Sequence, residues 1–163
     1  MTDYDQIKTT AEAHEAAALP CARAVHTNPD APLSAEQMPL PDSVSRKPIA
    51  QKSPAEWAYE RLILYIKNFE EQLDNEHEIA MGSTGSESGV LRIEGIGYFD
   101  PDIVTFYGTD GSGAKTQLVQ HVTQLNVMLR ALPKHEPEAA PARIGFRLAL
   151  DLEKSGADED EKA

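Results

Sequence analysis

A glycine-rich loop is the strongest candidate for chemistry in this sequence. It runs from Gly108 to Thr116 and reads Gly-Thr-Asp-Gly-Ser-Gly-Ala-Lys-Thr. The backbone amides of such a loop, together with a lysine, can converge on phosphate groups. His121 follows at a predicted junction between a strand and a helix, where an imidazole could act as a general base. Asp110, Lys115 and His121 are therefore the candidate ligand site of a small-molecule or nucleotide-binding enzyme.

The loop resembles the phosphate loop of nucleoside-monophosphate kinases, and thymidylate kinases in particular begin with a similar Phe-x-Gly-x-Asp-Gly-x-Gly run. In those enzymes the final glycine directly precedes the lysine, whereas Ala114 is inserted here. The insertion displaces Lys115 from the amide cradle, and the chain that follows is too short for the further strand–helix units of such a kinase. We therefore favour a hairpin loop between antiparallel strands, with Asp110 and Gly111 in the turn.

Metal and thiol chemistry have little support in the sequence. Asp100, Asp102 and Asp110 could offer oxygen ligands to calcium, but apolar residues stand where a third ligand of a calcium loop is needed. The five histidines are scattered and show no zinc-site spacing. Cys21 is the only cysteine, which excludes an internal disulfide. We predict no metal, no cofactor and no catalytic residue.

The charge balance excludes several partner classes. The chain has 27 acidic and 15 basic residues, a net charge of −12. Because no segment is basic, we expect neither nucleic-acid binding nor attraction to an anionic membrane surface. The longest apolar run, Leu62 to Ile66, is too short to cross a bilayer. The start of the chain lacks the cationic and apolar parts of a signal peptide, so we expect a cytoplasmic protein.

The chain divides into three predicted segments. Residues 1–52 form a mostly disordered arm with a possible short helix, because proline is frequent and large apolar residues are few. Residues 53–154 form one domain. Residues 155–163 form an acidic, disordered tail.

The sharpest local signal is the start of a helix. Ser53, Pro54 and Glu56 form a capping-box pattern with proline in the first turn. Apolar residues then recur at three- and four-residue spacing, which predicts an amphipathic helix that ends near Asn75 and covers a sheet.

The remaining pattern predicts an α+β fold, in which an antiparallel sheet of about four strands packs against this helix and the domain contains a second helix. The predicted strands are residues 78–84, 90–99, 103–108 and 115–119, and the second helix is residues 121–131. Residues 143–152 alternate as in a strand but also suit a helix, and we favour a strand.

One sheet face is the candidate partner-binding surface. Simple alternation would place Arg92, Glu94, Tyr98 and Tyr107 on the same face. Tyrosine and arginine are frequent in interface hot spots, so Arg92, Tyr98 and Tyr107 are the predicted contact residues. Residues 90–93 lie beside a glycine–serine loop, residues 82–89, which suggests an open sheet edge that could pair with another strand.

Three stretches resemble an uncharacterised proteobacterial family, a domain of unknown function. They are residues 53–62, residues 97–108 around Gly-Tyr-Phe-Asp-Pro-Asp and Phe-Tyr-Gly, and residues 120–126. The resemblance spans the domain and implies a bacterial cytoplasmic origin without an assigned activity. Our leading hypothesis is a non-catalytic interaction or assembly module that binds a protein partner or forms a homodimer. The alternative is the enzyme centred on Gly108 to Thr116 and His121.

Overall fold

The computed structural model describes residues 21–82 and 89–161, with side chains as far as Asp158. The possible helix of the arm and most of the glycine–serine loop lie outside these residues. The described helices are α1 (Asp42–Ser45), α2 (Pro54–Glu71) and α3 (Ile144–Glu161), with 3-10 turns at Ala35–Gln37, Ile49–Gln51 and Val122–Gln124. The strands are β1 (His77–Gly82), β2 (Val90–Phe99), β3 (Ile103–Thr109), β4 (Lys115–His121) and β5 (Met128–Pro133).

The five strands form one antiparallel sheet in the order β4-β3-β2-β1-β5. Helix α2 packs on one face of this sheet, and α3 packs beside α2. Phe106 and Val104 of β3 are fully buried and belong to the same core as Ile63 and Ile66 of α2. The predicted α+β class is confirmed, with five strands in place of about four. None of the described helices is long and apolar enough to cross a membrane.

The start of α2 at Ser53 agrees with the sequence prediction, but only the serine half of the predicted capping box is formed. The Ser53 hydroxyl accepts a hydrogen bond from the Glu56 amide at 3.0 Å, as an N-cap residue does. The same hydroxyl donates to Asp100 in the turn between β2 and β3. The Glu56 carboxylate turns to the ammonium group of Lys47, 3.3 Å away. The helix ends at Glu71, one turn before the predicted end near Asn75.

The predicted helix at residues 121–131 is wrong. The segment contains a 3-10 turn, Val122–Gln124, and then β5, which pairs with β1 at six consecutive positions from Met128 to Pro133. The apolar spacing of Leu125, Met128 and Leu129 suited a helix, but the hydrogen-bonding edge of β1 is a tertiary feature that overrides local preference.

The strand favoured for residues 143–152 is also wrong, because this segment is the first half of α3. Ile144, Leu148 and Leu152 recur every four residues and pack against the core. Helix α3 continues through residues 155–161, for which the sequence predicted no regular structure.

The described part of the arm contacts the domain. Val44 in α1 is 1% exposed, and the ammonium group of Lys52 lies 2.6 Å from the Glu60 carboxylate. The Asn68 side chain of α2 donates to the carbonyl oxygen of Leu33 at 2.8 Å. The predicted boundary at Ser53 therefore falls within a set of arm–domain contacts, and the division into three segments stays a prediction.

Candidate functional site

A β-bulge in β2 decides which side chains share a face. Ile93 pairs with Gly108 and Gly95 pairs with Tyr107, so Glu94 is an extra residue between them. The alternation of side chains changes phase at this point. Tyr98 consequently points towards the helices, where its ring lies 5.0 Å from that of Tyr59.

The face of the sheet away from the helices is called here the outward face. Cross-strand partners share a face, so register assigns its members. They are Glu78, Ala80 and Gly82 of β1, Val90, Arg92, Gly95, Gly97 and Phe99 of β2, Ile103, Thr105, Tyr107 and Thr109 of β3, Lys115, Gln117, Val119 and His121 of β4, and Met128, Arg130 and Leu132 of β5.

Large apolar side chains on the outward face are open to solvent. Phe99 is 76% exposed and Val119 is 59% exposed, while Tyr107 and Met128 are each more than 40% exposed. The Tyr107 hydroxyl lies 3.3 Å from the hydroxyl oxygen of Thr105 on the same strand. Exposed apolar side chains that lie together on one surface are typical of interaction sites.

Three cations stand in one register row across the whole sheet. Lys115 pairs with Thr109, Thr109 with Arg92, Arg92 with Ala80, and Ala80 with Arg130. Arg92 bridges Glu78 at 3.1 Å and donates to the Pro133 carbonyl at 2.9 Å. Lys115 and Arg130 have no ion pair with any side chain that the structure describes. The row is thus a local positive strip on a chain of net charge −12.

The structure separates the three predicted contact residues. Arg92 and Tyr107 lie on the outward face, whereas Tyr98 lies on the helix side because of the bulge. The predicted open edge at residues 90–93 is wrong, because β2 has β1 on one side and β3 on the other. The edge strands are β4 and β5.

The glycine-rich loop is the hairpin that the sequence favoured. It joins the antiparallel strands β3 and β4, so no helix follows it as in a phosphate loop. The Asp110 carboxylate accepts hydrogen bonds from the amides of Ser112 and Ala114, each at 2.9 Å. A bond from the Ser112 hydroxyl is the main cause that lowers the pKa of Asp110. The loop amides therefore bind a carboxylate of the loop itself.

Gly108, the first glycine of this motif, has a structural role in the sheet. A Cβ atom there would stand 1.9 Å from the carbonyl oxygen of Arg92, at the bulge. The glycine admits the close approach of two strand backbones.

Lys115 and His121 do not form one site, because they stand at opposite ends of β4. Six residue steps along a strand separate them by about 20 Å. His121 Nε2 lies 2.9 Å from the Asp102 carboxylate, and its Nδ1 accepts from the Thr123 amide at 3.2 Å. Both ring nitrogens of His121 are thus engaged: Nε2 joins the end of β4 to the turn between β2 and β3, and Nδ1 caps the 3-10 turn that follows β4.

The helix side carries a separate polar cleft of about 550 Å³, formed by α1 and the residues after it, α2, Tyr98 and α3. Lys52 and Glu60 pair beside it, and burial raises the pKa of the Glu60 carboxyl against the opposing effect of Lys52. Within residues 21–82 and 89–161, no three His, Cys, Asp or Glu residues are grouped as metal ligands would be.

Comparison with known protein families assigns the chain to a family. Residues 47–147 match a family of unknown function, DUF6173. The chain belongs to this family. The match includes every outward-face residue and begins at Lys47, in the last part of the arm. No curated protein and no solved structure matches the chain.

Sequence reasoning missed Phe99, Val119 and Arg130 as members of the outward face. Unbroken alternation along residues 90–99 places Phe99 with Leu91 and Ile93, on the buried side, because alternation alone does not predict the bulge; the glycines at 95 and 97 are a signal for irregular pairing. Arg130 was assigned to a helix, and no signal in the sequence itself points to its place on an edge strand.

Proposed function

We propose that this chain is a non-catalytic protein-interaction module whose outward face binds an acidic segment of a protein partner. The observation that supports this function is the row of three cations, Lys115, Arg92 and Arg130, on the same face as exposed apolar side chains. Tyr107 lies in the next register row, and Val119 and Phe99 lie further along the strands. The bacterial and cytoplasmic setting stays a prediction.

The apolar part of the face supplies the driving force. Burial of apolar surface contributes about 25 cal/mol per Å², and aromatic residues and arginine are enriched at the centre of protein interfaces. Phe99, Val119 and Tyr107 offer such surface in three neighbouring strands.

The cations supply selectivity. Adjacent strands lie about 4.8 Å apart, so each cation of the row is about 10 Å from the next. Lys115 and Arg130, the two cations without an ion pair in the described structure, are on the two edge strands, about 19 Å apart, and a partner segment with carboxylates at about that separation would meet both. Because the chain as a whole is acidic, such a partner is attracted to this strip and repelled elsewhere, which orients the complex.

A peptide-display selection from a random library, with the full chain as bait, tests this proposal. We expect enriched peptides to combine aspartate or glutamate with aromatic or aliphatic residues. Calorimetric titration of a selected peptide should show that Arg130→Glu and Val119→Glu each weaken binding at least about tenfold, a loss of about 1.4 kcal/mol.

Arg147→Glu is the matched control, because Arg147 is an exposed cation on α3, on the helix side of the sheet. Its affinity for the peptide should equal that of the parent. Peptides without acidic residues, or affinities that Arg130→Glu leaves unchanged, would contradict the proposal. Salt-dependent binding of a single-stranded oligonucleotide that the same substitutions abolish would assign the face to nucleic acid.

A further inference from the structure

The polar cleft on the helix side contains two aromatic rings and a carboxylate that the proposed interaction does not use. Tyr59 and Tyr98 pack with their ring planes at 50°, and Asp151 of α3 lines the same cleft. Its volume of about 550 Å³ falls in the range of small-molecule sites, about 300 to 1,000 Å³.

Most charges around the cleft are already compensated. Glu56 pairs with Lys47 at 3.3 Å, and Glu60 pairs with Lys52 at 2.6 Å. Arg46, which also lines the cleft, is not without a partner either. The Asp151 side chain has neither a hydrogen bond nor an ion pair with any described residue. One uncompensated negative charge therefore faces the cleft.

Tyr59 provides a second group with free hydrogen-bonding capacity. The residue is nine-tenths buried, but its hydroxyl has no hydrogen bond with a described residue and is not among the buried polar atoms that lack a partner, so it is open to the cleft. A hydroxyl oxygen in the wall of a cleft can accept a hydrogen bond from a bound group. Burial, and next the charge of Asp151, raise the pKa of Tyr59 to about 12, which keeps the hydroxyl protonated at neutral pH.

We propose that this cleft binds a small organic amine, whose ammonium group pairs with the Asp151 carboxylate, donates to the Tyr59 hydroxyl oxygen and lies against the Tyr59–Tyr98 ring pair. An ammonium group satisfies all three because it carries a charge, has several N–H donors and is attracted to aromatic faces. The site lies on the helix side of the sheet, so it is independent of the outward face.

Titration calorimetry of the full chain with putrescine, at constant ionic strength, tests this inference. We expect saturable one-to-one binding and a rise in melting temperature with putrescine concentration. Asp151→Asn should abolish the binding heat, and Tyr59→Phe, which keeps the ring and removes the hydroxyl, should weaken binding several-fold.

Glu153→Gln is the matched control, since it removes an exposed acid from the same helix outside the cleft. Its putrescine affinity should equal that of the parent. The inference is overturned if putrescine gives no saturable heat at millimolar concentration. It is also overturned if Asp151→Asn binds as the parent does, or if inorganic phosphate binds in the cleft while putrescine does not.

Discussion

Glu70 on α2 and Gly145 on α3 hold the two long helices together. The Glu70 carboxylate accepts hydrogen bonds from the amides of Gly145 and Ile144, at 2.9 and 3.0 Å. These amides belong to the first turn of α3, where backbone donors have no partner within the helix. A buried side chain of one helix therefore caps the other, and it determines where α3 begins.

Removal of this cap should destabilise the protein. Glu70→Ala leaves two amides without a partner at a buried site, and we expect a loss of about 2 kcal/mol in the free energy of unfolding. Urea unfolding followed by circular dichroism measures the loss. Glu71→Ala is the control, because Glu71 is exposed and lies 3.9 Å from Lys67, a contact worth about 0.5 kcal/mol or less. Equal losses in the two variants would show that the cap is unimportant.

The same carboxyl should give stability a pH dependence. Burial raises the pKa of Glu70 above its ordinary value, so the native state binds the proton more tightly than the unfolded state. This contribution is fully present below the unfolded-state pKa and is lost as the pH rises through the native-state pKa. The parent should therefore gain stability relative to Glu70→Gln as the pH falls from neutrality into the range of carboxyl titration. The urea unfolding midpoints of the parent and of Glu70→Gln, measured across that pH range, test this expectation. A difference between the two midpoints that does not change with pH would show that Glu70 does not cause the pH dependence.

Gly145 is predicted to be irreplaceable, in contrast to Gly156 on the same helix. A Cβ at position 145 would stand 2.8 Å from the Lys67 Cα, so α3 would have to move away from α2. We expect Gly145→Ala to cost about 1 to 3 kcal/mol. At position 156 the closest atom is the flexible end of Arg46, and alanine favours the helix by about 1 kcal/mol, so Gly156→Ala should be neutral or stabilising. The melting temperatures of the two variants test this contrast. Equal changes in melting temperature for Gly145→Ala and Gly156→Ala would contradict it.

The buried pair of Lys52 and Glu60 should bind the arm to the domain. Their side chains are almost fully buried, so Lys52→Met leaves the Glu60 charge without its partner and should cost about 3 to 5 kcal/mol. Adding Glu60→Leu to Lys52→Met should recover most of the lost stability, because the double variant buries no charge at this position. Lys47→Met, which breaks the more exposed pair with Glu56, should cost less than about 1 kcal/mol. Chemical denaturation of all three variants tests the ranking, and a Lys52→Met protein as stable as the parent would contradict it.

Magnesium–ATP should leave the melting temperature unchanged. The Asp110 carboxylate already accepts the bonds of the loop amides that a phosphate would need. A bound ligand would stabilise the native state by about 2.7 kcal/mol at a hundredfold excess over its dissociation constant. Differential scanning fluorimetry of the parent and of Lys115→Ala provides the measurement. A rise in the melting temperature of the parent that is absent from Lys115→Ala would show that the loop binds nucleotide after all.

Local chemistry alone determined several elements of this protein. The cap at Ser53 defines the start of α2 because its hydroxyl and the amide it binds are three residues apart in the chain. The period-two pattern and turn residues predicted β2 and β3 to within one residue, and the Asp110 turn predicted the hairpin to β4. The acidic charge and the lone cysteine are likewise properties of the sequence itself.

Tertiary structure decided the rest, because the deciding partners are distant in sequence. Met128–Pro133 became a strand beside β1, and Ile144 began a helix where Glu70 could bind its amide. The bulge at Glu94 moved Tyr98 to the helix side, and the register of five strands brought Lys115, Arg92 and Arg130 into one row. Periodicity reports only which neighbours in the chain share a face, whereas register, bulges and helix caps depend on contacts between segments.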